Sequence, residues 1–267
     1  MYIDKAIQKG YNPYLTETDD AGTGMDVGVL VLEAGESRLF HDAAKETAAL
    51  LLEGRVVFEW DNESRAADRP DSFRHDPWCL HAPAGTTFRV KALTHSELYL
   101  QAVKNPRAFP AKLYMPSDTL VQHAGANGEL MGAMRREIKT LFDYENAPYS
   151  NMVLGEVLNF PGKWSSYPPH FHPQPEVYLH RFDHPQGFGA SFAGGEVHTS
   201  RHNGLTIIKN GFHSQAAAPG YAMMYVWGIR HLEGNPWEKT RIDVPEHAWL
   251  WNADANEHIF QLREESE

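Results

Sequence analysis

Short apolar stretches bounded by Gly, Pro, Asn and Asp recur along the chain, while the 3.6-residue periodicity of amphipathic helices is scarce. In the first half these stretches are Val27–Glu33, Glu46–Leu52, Val56–Trp60, Thr87–Val90 and Ser96–Val103. Their β-branched and aromatic content, closed off by turn residues, predicts strands. Gly54 falls between two of them and predicts a tight turn, while the polar segments Glu36 to Lys45 and Asp61 to Asp76 predict loops. The second half repeats the style with Met152–Phe160, Glu176–Phe182, Leu205–Ile208 and Met223–Ile229. Asn105-Pro106 and Phe109-Pro110 interrupt the pattern and predict a seam near residue 110, because a residue before proline resists continuing a regular element. The pattern implies an all-β chain of sandwich or barrel type in two halves, 1–110 and 111–267.

Composition narrows the function classes. Hydrophobic residues at 42% and aromatics at 12% are enough for a real core and exclude a disordered or fibrous chain. A net charge of -11 with no run of Lys or Arg excludes a nucleic-acid partner, yet a local cluster of cations inside a pocket can still attract a small acid. Cys79 is the single cysteine, which rules out an intrachain disulfide and fits a small buried apolar residue. The opening residues MYIDKAIQKGYNPY resemble neither a secretory nor a transit leader, and no stretch reaches the roughly 18 apolar residues of a membrane span. The expectation is a cytoplasmic protein with no membrane partner, free to form a homo-oligomer.

Chemistry concentrates in Tyr167-Pro-Pro-His170-Phe-His172-Pro-Gln-Pro-Glu176-Val-Tyr178-Leu-His180. Alternate residues of a strand share a face, so His170 and His172 point the same way and can reach one cation. Glu176 opens the next apolar stretch and can return a carboxylate to that point. Asn210-Gly211-Phe212-His213 adds a third His after a Gly turn. Three His and one Glu form a borderline ligand set suited to a divalent transition metal, Zn, Mn, Fe or Ni, with positions left for water and substrate. Any single one of the 15 His is more often a hydrogen-bonded or surface residue; the joint spacing is what points to metal.

That spacing, HxH, Glu four residues on, and a later Gly-x-His, resembles the two metal motifs of the cupin superfamily. Within it the chain looks like the 5-deoxyglucuronate isomerase family of inositol catabolism. The likeness rests on Gly162-Lys-Trp-Ser-Ser-Tyr-Pro-Pro-His170, Pro185-Gln-Gly-Phe-Gly189, Pro219-Gly-Tyr221 and Pro245-Glu-His-Ala-Trp249. The resemblance implies a bicupin of two β-barrel (jelly-roll) domains, a metal held by His170, His172, Glu176 and His213, and carbohydrate metabolism through an aldose–ketose isomerisation, an intramolecular oxidoreduction, of a small-molecule sugar acid. The expected reaction converts 5-deoxy-glucuronate to 5-dehydro-2-deoxy-gluconate. The compact His-Pro-Gln-Pro-Glu-Val-Tyr segment is similar to the sister 5-keto-4-deoxyuronate isomerases instead, which makes another uronate an alternative substrate. A cupin dioxygenase is a further alternative, since the same ligand types hold iron for oxygen chemistry.

The first half has the cupin-like turn Pro83-Ala-Gly-Thr-Thr87 without a His after it, so the expectation is a metal-free N-terminal barrel. His41 and Glu46 have no HxH partner, and His75, His81 and His95 fit surface or hydrogen-bonded roles. Tyr178 and His180 alternate onto the Glu176 face and are the catalytic candidates for proton handling. Lys163, Arg181 and Arg201 are the candidates for holding a substrate carboxylate, although a regular strand turns Arg181 outward. Tyr225, Trp227 and Trp249 suit a sugar-binding wall or plain core packing, with core the expectation.

Overall fold

The computed structural model describes residues 1–19 and 21–261, and it is built almost wholly of strands. The first half forms a nine-stranded sheet that bends over on itself. Its central member, Lys45–Trp60, is one continuous 16-residue strand, so Gly54 is not the tight turn expected from the sequence. Residues before it pair with Trp78–Ala82 and Ser96–Lys104, and residues from Gly54 onward pair with Glu63–Arg69 and Thr87–Ala92. Gly54 is the pivot between those partners: its φ of 104 suits glycine alone, and a Cβ there would collide with the His95 carbonyl and the Ser96 side chain. Two segments expected to be loops hold strands, Ser37–His41 and Glu63–Arg69. Both are edge strands with mostly exposed side chains, so their polarity masked them.

The second half is a jelly roll of two facing sheets. The seven-stranded sheet runs in the order Tyr2–Ile3, Leu205–Ile208, Glu176–Phe182, Met223–Arg230, Met152–Asn159, Arg136–Phe142 and Leu120–Ala124. The five-stranded sheet runs Glu196–Arg201, Phe188–Ala193, His213–Ala217, Trp164–Phe171 and Ile242–Asp243. Short strands are exchanged between the halves: Tyr2–Ile3 pairs with Leu205 and Thr206, and Lys112–Tyr114 pairs with Cys79–His81.

The larger sheet of the second half is covered on both faces, which explains why its central strands read as continuous apolar runs. Along Glu176–Phe182, Val177 and Leu179 face the first half while Tyr178 and Phe182 face the barrel interior. Met223–Arg230 divides the same way, with Met224 and Val226 outward and Tyr225, Trp227 and Ile229 inward. The outward set packs against Val27, Val29, Leu50, Leu52 and Tyr99 of the first half in one shared core. Each fully buried side chain of this size contributes about 1.5–3 kcal/mol over exposure. The first barrel's own interior is filled by Leu30, Leu51, Phe58, Phe88, Val90 and Leu98. Cys79 is buried in the shared core, and burial pushes its thiol up, away from thiolate chemistry.

Buried polar groups tie the halves together. Arg69 donates to both oxygens of Glu156, at 2.7 and 2.6 Å. Glu46 accepts from the Asn151 backbone at 2.6 Å and lies 2.9 Å from His81, so His81 is a buried hydrogen-bonded residue. No helix among the described residues is long and apolar enough to cross a membrane.

Candidate metal centre and cavity

The two sheets of the second half bring their chemistry together at one end of the barrel. Trp164–Phe171 places His170 opposite His213 of the neighbouring strand, with ring centroids 4.5 Å apart. His172 follows on the Pro-rich connection, and Glu176 opens the first strand of the facing sheet. The Glu176 Oε2 atom lies 3.2 Å from His172 Nε2 and 3.3 Å from His213 Nε2, and all three residues are buried. His170 borders the same cavity.

Hydrogen bonds set the imidazole tautomers. His172 Nδ1–H donates to the Gln174 carbonyl at 3.0 Å, and His170 Nδ1–H donates to the Pro168 carbonyl at 3.1 Å. In the neutral ring this leaves each Nε2 as the nitrogen that can bind a cation. Burial, joined by nearby cationic groups, pushes the His170 pKa down to about 4 and that of His213 well below the usual imidazole range. The His172 and His213 Nε2 atoms and the Glu176 Oε2 atom converge within hydrogen-bond distance on one buried point, an arrangement that can hold a cation. This donor set fits a divalent transition metal.

The cavity beside these residues encloses about 200 Å³. Tyr178 lines it, its hydroxyl 3.0 Å from Ser166 Oγ, and burial together with the Glu176 charge raises its pKa well above the usual phenol value. Tyr225 and Trp227 also line the wall rather than only filling core, with Tyr225 donating to Ser165 Oγ at 3.0 Å. Gly155 makes room for this wall, because a Cβ there would press on the Trp227 indole at 2.7 Å. Trp249 lies outside and is 40% exposed.

Other candidates fall elsewhere. His180 shares the Glu176 face of its strand but sits deeper than the cavity, with Nε2 2.9 Å from Thr206 Oγ1. Complete burial pushes its pKa down to about 3. None of the three cations expected to meet a carboxylate borders the cavity. Lys163 sits on the turn leading into Trp164–Phe171. Arg181 turns to the opposite sheet face, as strand alternation dictates, where it bonds Glu97 and Asn203. Arg201 is exposed, 3.6 Å from Asp4. The cavity's cations are instead Arg136, Lys239 and Arg241. The strand Arg136–Phe142 went unrecognised because Arg, Glu and Lys dilute its apolar content, although Arg136 and Ile138 obey the period-2 rule that aims both inward. Lys239 and Arg241 arrive on an irregular segment that periodicity does not mark.

A second His and carboxylate group, Glu53, His95 and Glu97, lies in the first half. Arg181 occupies Glu97, and His95 Nδ1 is 3.0 Å from Glu33, so two of its three members are already partnered. A larger cavity, about 600 Å³ and bordered by Arg107, Arg230 and His231, holds no such convergent donor set among the described residues.

Residues 2–250 match the family model described as KduI/IolB. The chain belongs to the KduI/IolB family. By that membership it is an isomerase, and its all-β bicupin architecture is shared with solved structures. It is 26% identical over 246 residues to the 5-deoxy-glucuronate isomerase of Geobacillus thermodenitrificans, covering 83% of this chain and 84% of that one. The 5-deoxy-glucuronate isomerase of Bacillus subtilis (strain 168) is 22% identical over 256 residues, covering 88% and 91%. The structure of an IolB-like protein from Salmonella typhimurium superposes with a TM-score of 0.83 at 22% identity, covering 93% of this KduI/IolB chain and 98% of its own. An oxalate decarboxylase from Lactobacillus farciminis superposes with a TM-score of 0.62 at 12% identity, covering 90% and 86%.

Proposed function

We propose that this KduI/IolB protein is a metal-dependent aldose–ketose isomerase that converts 5-deoxy-glucuronate to 5-dehydro-2-deoxy-gluconate in the cytoplasm. The observation that carries the reading is the convergence of His172, Glu176 and His213 on a small cavity in the second barrel, with His170 beside them. These four residues hold the divalent ion, and the apolar-filled N-terminal barrel, residues 1–110, supports the catalytic barrel without a metal of its own. When bound, the ion supplies Lewis-acid stabilisation of the negative charge that develops on the substrate oxygens.

The chain's own groups do the rest. Tyr178, whose hydroxyl is kept in place by Ser166, moves the proton between the two substrate carbons as its phenolate, a form that the positive charge of an ion held beside Glu176 would favour against burial. Tyr225, Trp227 and Trp237 narrow the cavity and exclude bulk water from the strongly basic enediolate. His180 stands behind this wall and keeps the strand in place through Thr206. The compact His172-Pro-Gln-Pro-Glu176 connection favours a second substrate within the same chemistry, 5-keto-4-deoxyuronate.

The test is elemental analysis of the purified protein together with NMR detection of ketose products from a small uronate panel in heavy water. The expected result is about one divalent ion per chain, turnover of 5-deoxy-glucuronate, and deuterium in the product. A metal-free protein that isomerises no uronate overturns the reading. Product that stays unlabelled removes Tyr178 from proton transfer and leaves direct hydride movement.

A further inference from the structure

Among the described residues four cationic side chains are buried, Arg69, Arg136, Lys139 and Arg181. Three are matched by carboxylates: Arg69 by Glu156 at 2.6 Å, Lys139 by Asp76 at 2.7 Å, and Arg181 by Glu97. Arg136 is the exception. Its hydrogen bond among the described residues runs from Nη1 to the Met134 carbonyl at 2.8 Å, which engages one of five N–H donors. No carboxylate is among the groups acting on its charge; burial depresses its pKa and Arg241 acts in the same direction, opposed only by the Tyr225 and Tyr178 phenols. A guanidinium taken out of water without a counter-charge costs several kcal/mol, and a fold that pairs its other buried cations does not leave this one bare without use.

Its position gives the use. Arg136 lies in the wall of the cavity that holds the His and Glu cluster. The other two cations there are committed: Lys239 to Glu145 at 2.5 Å, and Arg241 to Asp243 at 2.7 Å and the Pro168 carbonyl at 2.5 Å. The uncompensated positive charge of the cavity is therefore that of Arg136. Resting on the assignment of a sugar-acid substrate, we infer that Arg136 is the residue that binds the substrate carboxylate and selects acids over neutral sugars. A planar fork with free donors suits a carboxylate in bidentate fashion, and the Met134 bond fixes its orientation beforehand.

The experiment titrates metal-loaded wild type, Arg136→Met and Arg136→Lys calorimetrically with D-glucuronate and with neutral D-glucose, with metal content and melting temperature checked for each. The expected result is that wild type favours glucuronate and that Arg136→Met weakens glucuronate binding about 10²-fold while glucose binding is unchanged. Arg136→Lys keeps the charge but loses the fork, so it retains a partial preference; it also serves if the Met variant does not fold. Wild type without a preference for glucuronate, or an Arg136→Met variant that keeps the preference, overturns the inference. If the preference depends on Arg136 but no uronate is isomerised, the carboxylate site stands and the isomerase assignment falls.

Discussion

Replacing Glu156 with alanine tests how strongly the two halves depend on one buried pair. Arg69 and Glu156 are 0% and 1% exposed, and the carboxylate takes two charge-assisted bonds from the guanidinium. After the replacement Arg69 still donates to Leu51 and His75 carbonyls at 2.7, 3.1 and 3.0 Å, so its geometry survives while its counter-charge does not. Breaking a buried pair from one side costs about 3–5 kcal/mol, a large share of the roughly 5–15 kcal/mol that stabilises an ordinary domain. Glu156→Gln keeps an acceptor but no charge and should lose less, about 1.5–3 kcal/mol. Urea unfolding at pH 7, followed by both tryptophan fluorescence and far-UV circular dichroism, measures the loss and shows whether the halves still unfold together. The paired replacement Arg69→Met with Glu156→Leu should recover most of the stability, because it removes both charges at once. Glu156 faces the first half while Val157 lines the cavity, so the folded variants should keep near-normal turnover. A Glu156→Ala protein within about 1 kcal/mol of wild type would refute the assignment of this pair as a clamp.

Three further outcomes are expected. His172→Ala and His213→Ala should each lower divalent-metal content sharply while the protein stays folded, and full occupancy by elemental analysis would remove them from the ligand set. Tyr178→Phe should retain metal and lose about 10²-fold in turnover, whereas His180→Gln, off the cavity, should affect turnover far less. Stability should fall as pH drops below about 6.5, the unfolded imidazole pKa, because the folded values of His180, His202 and His231 are pushed down by burial to about 3, 4 and 4. The native state binds fewer protons than the unfolded one throughout that window, so acid favours unfolding; His180→Gln should shallow the decline in melting temperature between pH 6.5 and 4, and an unchanged slope would count against it.

The His and Glu cluster of the candidate site was legible because its residues obey one local rule. His170 and His172 share a face by alternation, and Glu176 follows at a distance a short turn spans; only the approach of His213 needed tertiary structure. Arg136 was not legible, since it reaches the cavity from a strand some 40 residues away in sequence and its partnerless state appears only once the other buried cations are seen paired. Choosing Lys163, Arg181 and Arg201 by sequence proximity selected residues on a turn, on the outward face and on the surface. Gly54 illustrates the same limit within the fold, because a glycine that ends one strand and a glycine that lets a strand change partners look identical in sequence.

The pairing of Tyr2–Ile3 with Leu205 and Thr206 bears on how the chain is made. The two partners lie about 200 residues apart, and translation at roughly 5–20 residues per second separates their emergence by about 10–40 s. For the later part of that interval the first half has left the ribosome while the apolar face it presents to the second barrel, Val27, Val29, Leu50 and Leu52, has nothing to cover it. The second barrel can seal its sheet edge only by capturing a segment synthesised long before it. Nascent chains of this protein therefore pass through a stage with an open strand edge and bare hydrophobic surface, and their yield in cells should respond to translation speed and to chaperone supply more than the finished protein's stability implies.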